Sequence, residues 1–244
     1  MHELLTLAVI YAGAGLLHGV LGFGFALISV PLVAGLYDVS VAVAMNAIVG
    51  TANCAYKAWL LRRHIEYRRV LRFFIVAAAS VPVGVIAVSS VPQGPAMAVL
   101  GLFVVVVAIA NLVSRERVVS FMRRRRSFWG LACLTGLTAG AFGTPGPTSV
   151  PYFVGQTGHA QTAKANLQMF FTLVAIPVFV FHAFAGNITV TAIGRAAVFV
   201  PLVLLVTLAG TMLAGRIRRE TLSRVVDAGL VGLGIWIIIE NIVM

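Results

Sequence analysis

Gly19-Val20-Leu21-Gly22-Phe23-Gly24 interrupts an apolar run of 33 residues, Leu4–Leu36. As one helix that run would measure about 50 Å, against a bilayer core of about 30 Å. A second long run, Phe128–Gly155, is interrupted by Gly140-Ala141-Phe142-Gly143-Thr144-Pro145-Gly146-Pro147. Glycine costs about 1 kcal/mol and proline about 3 kcal/mol in a helix interior. Each run therefore reads as two half-helices with a non-helical joint. At membrane depth such a joint survives only where protein or a watery cavity satisfies its backbone.

The two runs also match each other. Ser29-Val30-Pro31 recurs as Ser149-Val150-Pro151, and fourteen residues separate Pro31 from Asn46 as they do Pro151 from Asn166. Gly15, Gly19 and Gly22 precede the first motif much as Gly136, Gly140 and Gly143 precede the second. Weaker echoes pair Val81-Pro82 with Val200-Pro201, and Asn111 with Asn241. The spacing predicts a duplicated unit, with residues 1–121 and 122–244 as two repeats of one membrane domain.

The remaining segments are Val39–Leu60, Val70–Ser90, Pro95–Val113, Ala160–His182, Val190–Ala214 and Val225–Val243. The 244-residue chain is 60% hydrophobic and only 10% charged, with a mean hydropathy of +1.02. Soluble domains carry about 25% charged residues. A soluble protein, a disordered chain and a disulfide scaffold are excluded. The expected class is an all-α polytopic protein of the inner (plasma) membrane, in contact with the lipid bilayer.

A net charge of +11 does not indicate nucleic acid. Of 18 Lys and Arg, 16 fall in three clusters: Lys57–Arg72, Arg115–Arg126 and Arg216–Arg224. They read as short loops kept on the cytoplasmic side. If all eight segments cross, the last cluster lands opposite the first two. If segments one and five enter and leave on the same face, all three share one side, Lys164 joins them, and only Arg195 is outside. The preferred topology is thus two inverted repeats, each opening with a broken or re-entrant helix. Both termini then lie outside.

A duplicated four-segment membrane protein whose halves open with Gly-rich broken segments resembles the sulfite exporter TauE/SafE family. The family pattern, roughly G-x-x-G-x-G-G-G-x-x-x-x-P, stands here as Gly19 to Pro31, with Phe25 and Ala26 in place of two glycines. Its second-half run stands as Gly143-Thr144-Pro145-Gly146-Pro147, departing at Thr144-Pro145. The resemblance implies a permease for a small anion such as sulfite, a sulfonate or sulfoacetate.

The residues themselves lead to the same chemistry. Repeat-built transporters place their sites near the midplane at discontinuous helices. The N-termini of half-helices offer free N–H groups and a positive dipole end to an anion. Gly22, Gly24, Thr144 and Gly146 lie at the joints. Ser29, Thr148 and Ser149 add hydroxyls, although each can equally bond back to its own helix. Asn46 begins a polar stripe with Gly50, Asn53 and Lys57, and Asn166 has Lys164, Gln168 and Thr172 beside it. Asn46, Asn166 and Gln168 can donate to an oxyanion without burying a charge, with Asn46 and Asn166 expected to face one another. The competing reading makes the asparagines interhelical glue.

His18 is the titratable side chain nearest the first joint and the candidate for a coupling proton. All seven acids lie outside the middle third of a span, which argues against carboxylate proton relays. Neither metal-ligand spacing nor a nucleophile–base cluster appears, and Cys54 and Cys133 stand alone. No cofactor is expected, and no catalytic residue. An anion or small-solute channel is the alternative, with a membrane-embedded enzyme further behind. The expected partner is the small anion itself, and the sequence leaves a homo-oligomer open.

Overall fold

The computed structural model describes residues 2–122, 127–157, 159–216 and 218–243. Ten α-helices and one 3-10 turn carry the described chain, which contains no strand. Helix α1 (His2–Leu21) stops at the first Gly cluster, and α2 (Phe25–Ala34) starts after the three residues Gly22, Phe23 and Gly24. Helices α3 (Val39–Leu60), α4 (Tyr67–Ser89) and α5 (Gln93–Met122) follow. Then α6 (Ser127–Phe142) stops before Gly143-Thr144-Pro145, and α7 (Gly146–Gln156) resumes. The chain ends with α8 (Ala160–Phe184), α9 (Val190–Leu213) and α10 (Arg219–Val243).

Seven of these helices are long and apolar enough to cross a membrane: α1, α3, α4, α8, α9 and the apolar parts of α5 and α10. Their outer faces leave large apolar side chains exposed, such as Val9, Ile75, Val198 and Leu205. In water that surface would be untenable; against lipid tails it is the expected one. Helix α3 is the most enclosed of the seven and packs on α8 at the centre of the bundle.

Small residues set the other close pairs. A Cβ on Gly19 of α1 would overlap Thr207 and Gly210 of α9, and one on Gly136 or Gly140 of α6 would overlap the backbone of α4 at Ala77 and Val81. Backbones approach this closely only where side chains are missing, the usual device where lipid gives helices no hydrophobic reason to associate. Thus α1 packs on α9, α6 on α4, and α5 on α10. At the α5–α10 crossing, Gly101 and Gly234 meet face to face.

Polar contacts define the two ends of the bundle. At one end Glu3 accepts from Arg195 Nη1 at 2.7 Å and from the Tyr37 hydroxyl. Asn187 donates to Ser89 at 2.8 Å, and the Gln93 amide caps the carbonyls of Ala34 and Tyr37. At the other end the Glu66 backbone and carboxylate hold Asn166, and Phe73 packs on Phe128 and Tyr152. Burial, then the hydrogen bond to Glu3, push the Tyr37 phenol above its usual range. It stays a donor at any physiological pH.

Two sequence expectations need correction. The clusters are not simply loops. Helix α5 runs on to Met122, carrying Arg115 and Arg117 on its last turns, because Arg and Glu are good helix formers once the chain has left the apolar core. Lys57 is a buried residue of α3 whose ammonium donates to the His18 carbonyl at 2.9 Å. The Arg123–Arg126 run lies outside the described residues.

Candidate anion site

A cavity of about 170 Å³ lies between the two joints, with Gly24 on one wall and Gly143 to Pro147 on another. Gly24 caps α2 with φ +93° and Gly143 follows α6 with φ +63°. Side chains disfavour that left-handed region, so glycine lets the chain reverse there at small cost. The first N–H groups of α2, those of Phe25, Ala26 and Leu27, have no partner within their helix. All three residues line the cavity. Helix α7 presents fewer donors, because Pro147 has no N–H. Two positive helix ends therefore converge on one small space.

Among the described residues that line it, none is Asp, Glu, Lys or Arg. Among the predicted site residues, His18, Gly24, Asn46, Thr144 and Gly146 line the cavity, and Gly22, Ser29, Thr148, Ser149, Asn166 and Gln168 do not. The difference lies in where each polar proton goes. Ser149 donates to the Pro145 carbonyl at 2.6 Å, and Thr148 pairs with Thr135 at 2.6 Å. Ser29 sits 2.8 Å from the Phe25 carbonyl and 2.5 Å from Asn46 Oδ1. Its one proton serves one of those acceptors at a time. The Thr144 hydroxyl is different: it is buried, with 2% exposure, and has no partner among the described residues.

Asn46 is oriented by Ser29, and its Nδ2 lies 3.9 Å from the point where a Cβ on Gly143 would stand. An amide from the first half of the chain thus reaches the second joint. Asn166 does not face it. Its Nδ2 donates to the Glu66 carboxylate at 2.9 Å and its Oδ1 accepts from the Glu66 N–H at 2.8 Å. Gln168 is committed as well, donating to the Gly22 carbonyl at 2.8 Å and lying 3.3 Å from His18 Nε2. The other ring nitrogen of His18 is buried without a partner among the described residues.

The sequence reading missed two residues. Asn111 lines the cavity, and its amide donates to Asp227 at 3.1 Å. Asp227, placed near a segment end by its position, is buried and also accepts from Ser223 at 3.3 Å. The faint echo between Asn111 and Asn241 was the available signal for the first. Nothing in the sequence signals the second, because burial of Asp227 depends on how α5 meets α10. Among the described residues no group of His, Cys, Asp and Glu is arranged to hold a metal.

What this arrangement serves is narrowed by likeness to known proteins. Residues 7–237 match the family model described as "Sulfite exporter TauE/SafE". The probable sulfite/organosulfonate exporter TauE of Cupriavidus necator is 26% identical over 235 residues, covering 95% of this chain and 92% of that protein. No solved structure matches. Seven helices long and apolar enough to span agree with a multi-pass protein of the inner (plasma) membrane. The chain belongs to the sulfite exporter TauE/SafE family, and it is a multi-pass membrane transporter of anions, not an enzyme.

Proposed function

We propose that the protein exports sulfite or a small organosulfonate through the central cavity, holding the anion with neutral donors between two half-helix ends. One observation carries this reading: Thr144, whose buried hydroxyl has no partner among the described residues, belongs to the wall of a cavity whose described lining holds no Asp, Glu, Lys or Arg. A cation carrier would need a carboxylate or a ring of carbonyls there. A sulfonate needs N–H and O–H donors, which the start of α2, Thr144 and Asn46 supply.

The transport geometry we infer is a pair of inverted repeats, α1–α5 and α6–α10, around that cavity. The pairing of helices supports it. Exchanging the halves turns the α1–α9 pair into α6–α4 and returns α3–α8 and α5–α10 to themselves. The contact of Glu3 with Tyr37 brings the start of α1 beside the end of α2, as a re-entrant hairpin requires. The contacts of Phe73 with Phe128 and Tyr152 do the same for α6 and α7. Described Lys and Arg other than Arg195 then gather at the opposite end from Glu3, which we assign to the cytoplasm.

The test is a binding screen on purified protein with sulfite, sulfoacetate, taurine and simple carboxylates. A ligand at 100 times its dissociation constant stabilises the fold by about 2.7 kcal/mol, which a melting curve registers. Stabilisation by sulfite or sulfoacetate, lost in Thr144→Val, supports the proposal. Equal stabilisation of the variant would remove Thr144 from the site.

A further inference from the structure

A second cavity, of about 330 Å³, lies beyond the first. It is bounded by Leu21 and Gly22 at the end of α1, Thr157 after α7, and His159 and Lys164 at the start of α8. His159 and Ala160 are exposed, so this cavity reaches the surface at the Lys/Arg-rich end of the bundle. Phe23, Val150 and Val154 line both cavities. These three side chains stand between the two cavities.

Phe23 is the unusual member of that wall. It stands between Gly22 at φ +85° and Gly24 at φ +93°. A Cβ at either glycine would meet no atom within 4 Å. These glycines are therefore not there to make room. They give the backbone on both sides of one large ring a conformation that side chains disfavour, and more than one basin to move between. The joint is held from the other half of the chain, where Gln168 Nε2 donates to the Gly22 carbonyl at 2.8 Å.

We propose that Phe23 is the inner gate of the transport pathway, a ring on a glycine-flanked joint that closes the central cavity against a vestibule at the Lys/Arg-rich face. Gln168 is its positioning residue, pinning the joint closed through the Gly22 carbonyl. An anion collected near Lys164 and His159 reaches the donors of α2 when the ring swings aside. The ring offers no charge to trap the anion, and its edge is the positive part of its quadrupole. The gate rests on the reading of the central cavity as the anion site.

Cys54 lines the central cavity, and Cys133 is the other of the chain's two cysteines. In a Cys133→Ser background, Cys54 therefore reports access to the cavity. The probe is 2-sulfonatoethyl methanethiosulfonate, a small membrane-impermeant sulfonate, applied to inverted vesicles and separately to intact cells. Slow labelling is expected from both sides with Phe23 in place. Phe23→Ala should raise the rate at least tenfold from the Lys/Arg-rich side alone, and Gln168→Ala should raise it by a smaller factor. Phe23→Trp should leave it slow.

An unchanged rate in folded Phe23→Ala, or an equal rise from both sides, would overturn the gate. If Phe23→Ala does not fold, Phe23→Leu and Gln168→Ala carry the same comparison. Methanesulfonate separates the two readings. Faster labelling that methanesulfonate slows supports gate and site together. Faster labelling that it leaves unaffected keeps the gate and removes the anion site from the cavity.

Discussion

Thr144 and Asn166 are both polar residues that the sequence offers as anion donors, and the structure gives them different surroundings. A buried hydroxyl without a partner is destabilising, and among the described residues Thr144, like Tyr11, carries one. Thr144→Val retains the shape and removes the hydroxyl. Anion affinity should fall tenfold or more, since a hydrogen bond to a charged group contributes about 1.5–3 kcal/mol. The melting temperature without ligand should hold or rise. Asn166→Ala should do the reverse: the Glu66 carboxylate and N–H lose their partner, so melting temperature falls while affinity stays within about twofold. Calorimetric titration of the folded fraction of each variant checks both. The sequence made every one of these side chains visible as a polar group in an apolar run. Which proton was left over was not legible, because a helical Ser or Thr has its own carbonyl four residues back in reach. Ser29 and Ser149 lie close to theirs, and Thr144, sitting in the joint, makes no such bond.

The joints were legible as elements because glycine and proline act through the backbone, whatever the tertiary context. Runs too long for one span, broken by Gly22–Gly24 and Gly143–Pro147, already implied α1–α2 and α6–α7. The reach of α5 to Met122 was harder to see, because hydropathy reports where the membrane ends and not where the helix does. Helix pairing was also hidden. Gly136 and Gly140 stood out as echoes of Gly15 and Gly19, but their partners on α4 and α9 lie far along the chain. Those crossings give a direct test. Gly136→Ala puts a methyl group into the Ala77 carbonyl, whereas Gly130→Ala, on the same helix, meets nothing within 4 Å. Overpacking costs about 1–3 kcal/mol, so Gly136→Ala should lower the melting temperature in detergent by several degrees. Gly130→Ala should leave it unchanged, or raise it slightly through better helix propensity. Equal behaviour of the two variants would mean that α4 and α6 do not pack this closely.

At the scale of the molecule, the inverted repeats we propose and the charge distribution depend on each other. An odd number of crossings per repeat inverts the second half. Only then do Arg63 after α3 and Arg216 after α9 come to the same face, with Ala185 after α8 on the other. A model in which all eight apolar segments cross puts Arg216 opposite Arg63. The contacts at the ends of the bundle favour the first arrangement, since Asn187 beside Ala185 meets Ser89 while Asn166 meets Glu66. Single cysteines decide the matter in a chain whose Cys54 and Cys133 have been replaced by serine. Arg63, Arg216 and Ala185 are all exposed, so a cysteine at each is within reach of reagent. With an impermeant maleimide outside intact cells, Ala185→Cys should label, and Arg63→Cys and Arg216→Cys should label only after the membrane is opened. Moving an arginine across the bilayer is costly, and the positive-inside bias acts on just such short basic segments. Each loss of one arginine weakens that bias by a single charge among many, so the variants should keep the native topology. Labelling of Arg216→Cys from outside, with Arg63→Cys protected, would remove the inverted repeat. It would also take from the proposed anion site the symmetry that is to aim both half-helix ends at one ligand.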